Sequence, residues 1–283
     1  MISDHRCFFC FTRAFEKLLD KESISKEAKS SFTYDMVSLY LSKRDSFLTP
    51  LFTRELHHIL RSYTHNADPY KEEKKKNNDQ SLSMVTDLEE VINQSEDPFA
   101  TALRLAIAGN IIDFAASDNF DIQATIDSAL LSEFAIDNSV QLRDRIKSAK
   151  KILYLGDNAG EIVFDLLFIK TIVHPDLTFV VRGGPVINDA TIEDAEYVGM
   201  KAVANVISSG FDAPSTIPDK SSQEFQKYFA EADLIISKGQ GNLEGLFPLN
   251  DDRIFFLLMV KCNVIAEFLK VKKGSLVVYN SSY

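Results

Sequence analysis

The first half of the chain alternates apolar residues of helical spacing with polar segments. Near the start, apolar positions recur three or four apart, at Phe8, Phe11, Phe15, Leu18 and Leu19, which predicts an amphipathic helix. Residues 33–41 and 53–63 repeat this pattern. Residues 98–116 are apolar on nearly every side, which predicts a buried helix. By contrast, residues 71–81 contain no apolar side chain and read as a solvated loop or a frayed helix end.

The second half changes to short apolar runs, several of which end in a glycine-bearing loop. These runs predict strands at 152–155, 177–181, 202–207, 232–236 and 275–279. Most are separated by helical patterns, at 161–172, 189–198, 221–231 and 252–269. Such alternation predicts a mostly parallel sheet covered by helices on both faces. We therefore expect an all-helical N-terminal domain over 1–148 and a three-layer α/β/α domain over 149–283.

The most informative motif follows the first predicted strand and opens a helix. It reads Gly-Asp-Asn-Ala-Gly-Glu over residues 156–161. Glycines permit a tight turn, the helix start favours an anion, and Asp157 and Asn158 offer hard oxygen ligands. Asp and Asn are equally ordinary turn and cap residues, so the motif alone leaves both interpretations open.

Two further strands end in polar loops, and such ends meet at one edge of a parallel sheet. Asn188 and Asp189 follow the second strand, where they could also cap a helix. Oxygen donors without His or Cys suit Mg²⁺ or Mn²⁺, and Co²⁺ is acceptable. Lys238 follows the fourth strand, between Ser237 and a glycine, and could direct a positive charge at a phosphate.

Composition narrows the class of protein. The 283 residues carry a formal net charge of -10, which disfavours binding to nucleic acid or to anionic membranes. No apolar run is long enough to span a membrane, and the start of the chain lacks a secretion signal, so we expect a cytoplasmic protein. The cysteines Cys7, Cys10 and Cys262 are too few and too irregular for a disulfide scaffold or a zinc site, and we expect them to be buried.

Taken together, three motifs resemble those of the damage-control phosphatases, a metal-dependent family first catalogued as a domain of unknown function. They are GDNAGE, GGPVINDAT and SKGQGNLE, supported by GNIIDF at 109–114, Asp68-Pro69-Tyr70 and Lys261-Cys262. The early CxxC is similar to the microbial branch of that family. The resemblance covers nearly the whole chain.

The resemblance implies a cofactor and a set of site residues. A divalent metal, whether Mn²⁺, Co²⁺, Ni²⁺ or Mg²⁺, would be held at Asp157, Asn158 and Asp189, and Lys238 would contact the substrate phosphate. The implied substrates are small phosphorylated metabolites, including sugar phosphates and damaged forms of normal metabolites. As a mechanism, we expect Asp157, Glu161 and Lys238 to be catalytic. Further substrate contacts are expected from Asn110, Ser237 and Asn242.

Two other functions fit a strand–loop–helix crevice, because a fold does not fix the chemistry that it hosts. The first is an S-adenosylmethionine-dependent carboxyl methyltransferase, an activity also described for one branch of the family. The second is a non-catalytic protein that binds phosphorylated metabolites. A chelator should inactivate a phosphatase, whereas a methyltransferase should bind its cofactor without a metal.

Overall fold

Helices form the first part of the chain in the computed structural model, which describes residues 4–43, 47–109, 127 and 130–283. Six of them lie in the described part before the first strand: α1 His5–Lys21, α2 Lys26–Ser42, α3 Thr49–Thr64, α4 Lys71–Ser83, α5 Val85–Gln94 and α6 Pro98–Ala108. The first three pack their apolar faces together around Phe32, Phe52 and Leu56, all of which are buried. The helices predicted near the start of the chain and over residues 33–41 and 53–63 are confirmed as parts of α1, α2 and α3.

Seven strands form a single sheet in the described part of the chain. In chain order they are β1 Phe134–Asp137, β2 Ile152–Leu155, β3 Leu177–Val181, β4 Asn205–Ser208, β5 Leu234–Lys238, β6 Ile254–Met259 and β7 Leu276–Tyr279. Their order across the sheet is β1-β7-β6-β5-β2-β3-β4. Every neighbouring pair is parallel except β6 and β7, so β1 and β7 run opposite to the other five strands.

Helices cover both faces of this sheet. They are α7 Ser139–Ser148, α8 Glu161–Ile172, α9 Ile192–Tyr197, α10 Gln223–Glu231, α11 Gly239–Leu246 and α12 Asn263–Leu269. Because side chains alternate along a strand, Tyr154 of β2 joins one core and Leu153 joins the other. The core that contains Tyr154 also includes α6 and α8. The expected three-layer α/β/α domain with a mostly parallel sheet is confirmed.

Residues 252–269 correct one sequence-based prediction. The segment was expected to be one helix, but it contains β6 and the separate helix α12. β6 reads IFFLLM and is almost wholly buried. A short apolar run shows no periodicity that separates a buried strand from a buried helix. Cys262 therefore lies just before α12 and is only partly buried, not inside an apolar helix.

The polar segment at residues 71–81 is also different from the prediction, because it lies within helix α4. Its buried face is polar: Lys74 pairs with Asp68 at 2.8 Å and with Asp194 at 3.2 Å. Asn78 accepts a hydrogen bond of 2.7 Å from the backbone N–H of Gly160. This helix is held by ion pairs and hydrogen bonds to other elements, which hydropathy along the sequence does not report.

The boundary expected at residue 148 stays a prediction. Strand β1 lies on the helical side of it yet pairs in parallel with β7, so the sheet begins earlier than expected. Helix α6 begins at Pro98, as the buried pattern predicts, and is described as far as Ala108. The remainder of that pattern, including Asn110 and Asp113, lies outside the described residues. No described helix has the length and apolar character that a membrane crossing needs.

Candidate active site

The candidate site lies at the point of the sheet where the order in which the chain adds strands reverses. β2 is central: the chain continues from it to β3 and β4 on one side and returns to β5 on the other. In open α/β sheets the loops at such a switch point separate and leave a crevice at the carboxyl ends of the strands. The loops after β2, β3 and β5 carry the three motifs, so the fold brings all three to one crevice.

The loops after β2 and β3 pair with each other like a short antiparallel ladder. Ala190 N–H donates to the carbonyl of Asp157 at 2.8 Å, and Ala159 N–H donates to the carbonyl of Asn188 at 2.9 Å. This pairing sets Asn158 opposite Asp189. The structure thus brings Asp157, Asn158 and Asp189 together, with 7%, 5% and 3% of their surface exposed.

Arg182, at the end of β3, ties this group together and was missed from the sequence. Its Nε donates to Asp189 Oδ2 at 2.5 Å, and its Nη2 donates to Asp157 Oδ1 at 3.0 Å. Its Nη1 donates to Asn242 Oδ1 at 2.9 Å. The only signal in the sequence was an arginine immediately after a wholly apolar strand. Such a buried cation needs carboxylate partners, and here it has two.

The chemistry of this group suits a hard divalent cation. Two carboxylates and one side-chain amide offer oxygen donors of the kind that Mg²⁺ and Mn²⁺ prefer. Asn158 Nδ2 lies 3.2 Å from both Asp157 Oδ2 and Glu161 Oε2, and its amide oxygen would occupy that place after a flip. Asp157, Asn158 and Asp189 therefore fit a metal. Among the described residues, no three His, Cys, Asp or Glu side chains form a metal-binding group by themselves.

Electrostatics also favour a cation at this place. Burial, followed by the neighbouring Asp189 and Glu161 carboxylates, raises the pKa of Asp157 well above its ordinary value. Arg182 and Lys261 oppose this rise. A carboxyl whose pKa is raised by nearby carboxylates lies in a region of negative potential. An added positive charge would stabilise its ionised form.

Lys238 is placed differently from the phosphate-binding position that the sequence suggested. Its side chain is fully buried, and Nζ donates to Glu161 at 2.7 Å, to Asp165 at 2.5 Å and to the carbonyl of Ala106 at 2.7 Å. Burial lowers the pKa of Lys238, but the two carboxylates outweigh it, so the pKa stands above its ordinary value. Direct contact between Lys238 and a phosphate stays a prediction.

Asp165 is a second residue that the sequence did not single out. It accepts hydrogen bonds from Lys238 and, at 2.7 Å, from the hydroxyl of Tyr154. Burial raises the pKa of Asp165 to about 6, although Lys238 acts against this rise. Glu161 links this buried cluster to the candidate metal residues. It accepts a hydrogen bond from Lys238, as Asp165 does, and its other oxygen contacts Asn158.

The three predicted substrate contacts have different surroundings. The side-chain amide of Asn242 forms its hydrogen bonds with other protein groups. It accepts hydrogen bonds from Arg182 and Thr216 and donates to the carbonyls of Gly156 and Lys238. Ser237 is fully buried, and its hydroxyl has no hydrogen-bond partner within the described part of the chain. Asn110 lies outside the described residues. Substrate contact by each of them stays a prediction.

A cavity of about 220 Å³ opens beside the carboxylates. Asp157, Asn158 and Asp189 line one part of it, and the remaining wall comes from α1, α3, α11 and the loops near Pro214 and Lys261. Lys261 also lines this cavity and brings a positive charge to the site. Clefts for drug-sized ligands begin at roughly 300 Å³, so this cavity suits a small metabolite.

The cysteines are not arranged for redox chemistry. All three are free thiols; Cys10 is exposed, and Cys7 is partly buried on the same helix. The expectation that the cysteines are buried is therefore wrong: Cys262 is also only partly buried. Burial that is only partial still raises the pKa of Cys7 and Cys10, whereas a reactive cysteine needs a lowered pKa.

The fold and the crevice define an α/β protein whose acidic site suits a cation. Comparison with known proteins identifies the family to which the chain belongs. Residues 3–277 match the family model described as the damage-control phosphatase ARMT1-like domain. The chain belongs to this family. The resemblance inferred from the three motifs is therefore confirmed.

Individual relatives agree with this assignment. The chain is 32% identical over 285 residues to a damage-control phosphatase of Pyrococcus horikoshii, with 99% of this chain and 98% of the relative covered. It is 36% identical to a damage-control phosphatase of Archaeoglobus fulgidus, over 74% of this chain and 75% of the relative. An uncharacterized protein of Methanocaldococcus jannaschii is 39% identical over 77% of this chain and 75% of its own length.

A solved structure shares the whole fold. The crystal structure of a DUF89 family protein from Pyrococcus horikoshii superimposes with a TM-score of 0.87 at 31% sequence identity. The match covers 99% of both chains. The family model and two of the relatives are named for damage-control phosphatases, which supports a phosphatase-type role for the chain.

Proposed function

We propose that this chain is a divalent-metal-dependent phosphatase that hydrolyses small phosphorylated metabolites, including sugar phosphates. The observation that carries the proposal is the meeting of Asp157, Asn158 and Asp189 at the wall of a small cavity, with Lys261 beside them. Two buried carboxylates alone would repel a phosphate. A cation held between them turns the same place into a phosphate site.

Each residue would have a distinct part in the reaction. Asp157, Asn158 and Asp189 would hold the metal, which would supply Lewis-acid stabilisation of the phosphoryl oxygens when bound. Arg182 keeps the two carboxylates in place through its hydrogen bonds. Lys261 would add positive charge near the phosphate, because phosphoryl transfer depends mainly on positioning and electrostatic stabilisation.

Glu161 is the candidate for handling a proton. It is the first residue of α8, it contacts Asn158, and Lys238 holds its other oxygen. A general base must lie within hydrogen-bond reach of the group whose proton it takes. Glu161 would meet this condition for a water molecule next to Asn158. Lys238 would act through Glu161, by fixing its position through the hydrogen bond of 2.7 Å.

The test is phosphate release from a panel of sugar phosphates and an aryl phosphate, with Mn²⁺, Co²⁺, Ni²⁺ or Mg²⁺ and with a chelator. We expect release that requires a metal and that falls by about 100-fold or more in Asp157→Asn, the scale for one lost electrostatic group. Asp144→Asn, at an exposed position on α7, is the matched control and should retain the rate. Release that survives the chelator would overturn the proposal.

The two alternatives make different predictions in the same experiment. A methyltransferase would bind S-adenosylmethionine in equilibrium dialysis without metal and would release no phosphate. A binding protein would retain the phosphorylated metabolite unchanged. The cavity of about 220 Å³ favours a ligand smaller than S-adenosylmethionine, and its acidic wall favours the metal-dependent reaction.

A further inference from the structure

The cavity has a second polar part, away from the candidate metal residues, and helix α11 provides it. Gln240 and Glu244 lie four positions apart on this helix, so they share one face, and both line the cavity. Gln240 Nε2 donates to Glu244 Oε1 at 3.2 Å. Neither residue belongs to the group formed by Asp157, Asn158 and Asp189.

The position of α11 fixes the separation between these two parts. The helix begins at Gly239, which lies against Asp157 so closely that an added Cβ would be 1.9 Å from Asp157 Oδ2. A helix rises about 1.5 Å per residue, so Glu244 lies roughly 7.5 Å further along the axis. A phosphoryl group held beside Asp157 would therefore place the carbon atoms of its ester near Glu244.

The wall around Glu244 suits a hydroxylated group. Thr49 and Thr53 of α3 contribute hydroxyls, and Pro50, Phe11 and Pro214 contribute apolar surface. Thr49 also shares a hydrogen bond with Glu244. This part of the wall contains polar groups that can exchange hydrogen bonds with alcohols.

Gln240 holds Glu244 in place. Its Oε1 accepts from the backbone N–H of Lys261 at 3.2 Å, and its Nε2 also contacts the sulfur of Cys262 at 3.4 Å. Both the oxygen and the nitrogen of the Gln240 side-chain amide thus contact other protein groups. Glu244 is the acidic side chain of this part of the cavity, and Gln240 is its support.

The surroundings of Glu244 favour its neutral form more than usual. Burial raises the pKa of Glu244 to about 7, although the hydrogen bonds from Gln240 and Thr49 oppose this rise. The thiols of Cys7 and Cys10 on α1 also sense its charge. A protonated carboxyl both donates and accepts, so near neutral pH Glu244 can bind a hydroxyl in either direction.

We infer that Glu244 is a specificity-determining residue that binds hydroxyl groups of the substrate's alcohol portion. This inference rests on the proposed phosphatase function. The carboxyl would favour polyhydroxylated phosphate esters over esters that lack hydroxyls. It would also disfavour a second phosphate at that end, because its ionised form repels an anion.

The test compares Glu244→Ala with the unaltered protein on a hexose phosphate and on 4-nitrophenyl phosphate, which has no hydroxyl to bind. One lost hydrogen bond corresponds to roughly a 10-fold change. We expect KM for the hexose phosphate to rise about 10-fold, while kcat/KM for the aryl phosphate stays within about 2-fold. Glu231→Ala, which removes an exposed carboxylate on α10, should change neither value.

The outcomes separate this inference from the function on which it rests. Equal losses on both substrates, or no change on either, would overturn the role of Glu244 while leaving the phosphatase intact. No release of phosphate by the unaltered protein would overturn both. Thermal shift gives a second readout: stabilisation by inorganic phosphate should persist in Glu244→Ala, whereas stabilisation by the hexose phosphate should fall.

Discussion

Arg182 Nε lies 2.5 Å from Asp189 Oδ2, and each of these two residues is only 3% exposed. The same guanidinium reaches Asp157 and Asn242, so one side chain joins the segments that follow β2, β3 and β5. The two carboxylates are therefore positioned by the protein itself. The site can be held ready for a cation without a large rearrangement.

Arg182→Gln should be strongly destabilising, because it leaves two buried carboxylates without their cation. Removing one partner of a buried ion pair costs about 3–5 kcal/mol. Urea unfolding would measure the change. Arg253→Gln is the matched control: it breaks a more exposed pair with Asp251 and should cost on the order of 1 kcal/mol. Similar losses in both variants would contradict the importance of Arg182.

Gly239→Ala should abolish activity, since the new methyl group would collide with Asp157. The position has φ of +79° and no room for a Cβ. Gly274 has φ of +89° with nothing within 4 Å of an added Cβ, so Gly274→Ala isolates the cost of the backbone conformation. That cost is about 1 kcal/mol. Equal stability and activity in the two variants would show that Gly239 does not need to be a glycine.

Lys238 and Asp165 should show strong energetic coupling. Lys238→Met leaves Glu161 and Asp165 as buried carboxylates, whereas Asp165→Asn leaves Lys238 with one acidic partner. A double-mutant cycle on the free energy of unfolding should give an interaction of more than about 1 kcal/mol. Additive effects would mean that the contact carries no energy of its own.

The stability of the protein should depend on Glu244 in a defined pH range. Its pKa is about 7 in the folded protein, above its ordinary 4.5, so its proton stabilises the folded state. That contribution is complete below pH 4.5 and is lost as the pH rises to about 7. The unaltered protein should therefore lose on the order of 2 kcal/mol relative to Glu244→Gln between pH 5 and 8.

Unfolding of both proteins in urea at several pH values checks this. The difference between them is the quantity of interest, because it cancels the contributions of all other titrating groups. A difference that stays constant from pH 5 to 8 would show that the Glu244 carboxyl is solvated like an ordinary one.

Local patterns predicted much of the sheet and the grouping of Asp157, Asn158 and Asp189 at one edge of it. The bounds of β2 and α8 coincide with the sequence-based ranges, because a strand, a glycine turn and a helix follow each other without interruption. Asp157, Asn158 and Asp189 were found for the same reason: they stand at strand ends, and parallel topology brings strand ends together.

Other features depend on contacts between distant residues and leave little local signal. The pairing of Arg182 with Asp189 and the helix α4 are of this kind, since both are held by buried polar partners. Lys238 was expected in the crevice because it ends a strand, but Glu161 and Asp165 hold it in the core. β6 was mistaken for a helix because burial on both faces removes the alternation that marks a strand.

The most direct test of the account titrates metal-free protein with Mn²⁺ while measuring bound metal and phosphate release together. The account predicts that one equivalent restores release from a sugar phosphate, and that Asp189→Asn loses binding and release in parallel. Full activity of Asp189→Asn at one bound equivalent would contradict the central claim, because the metal would then be held elsewhere.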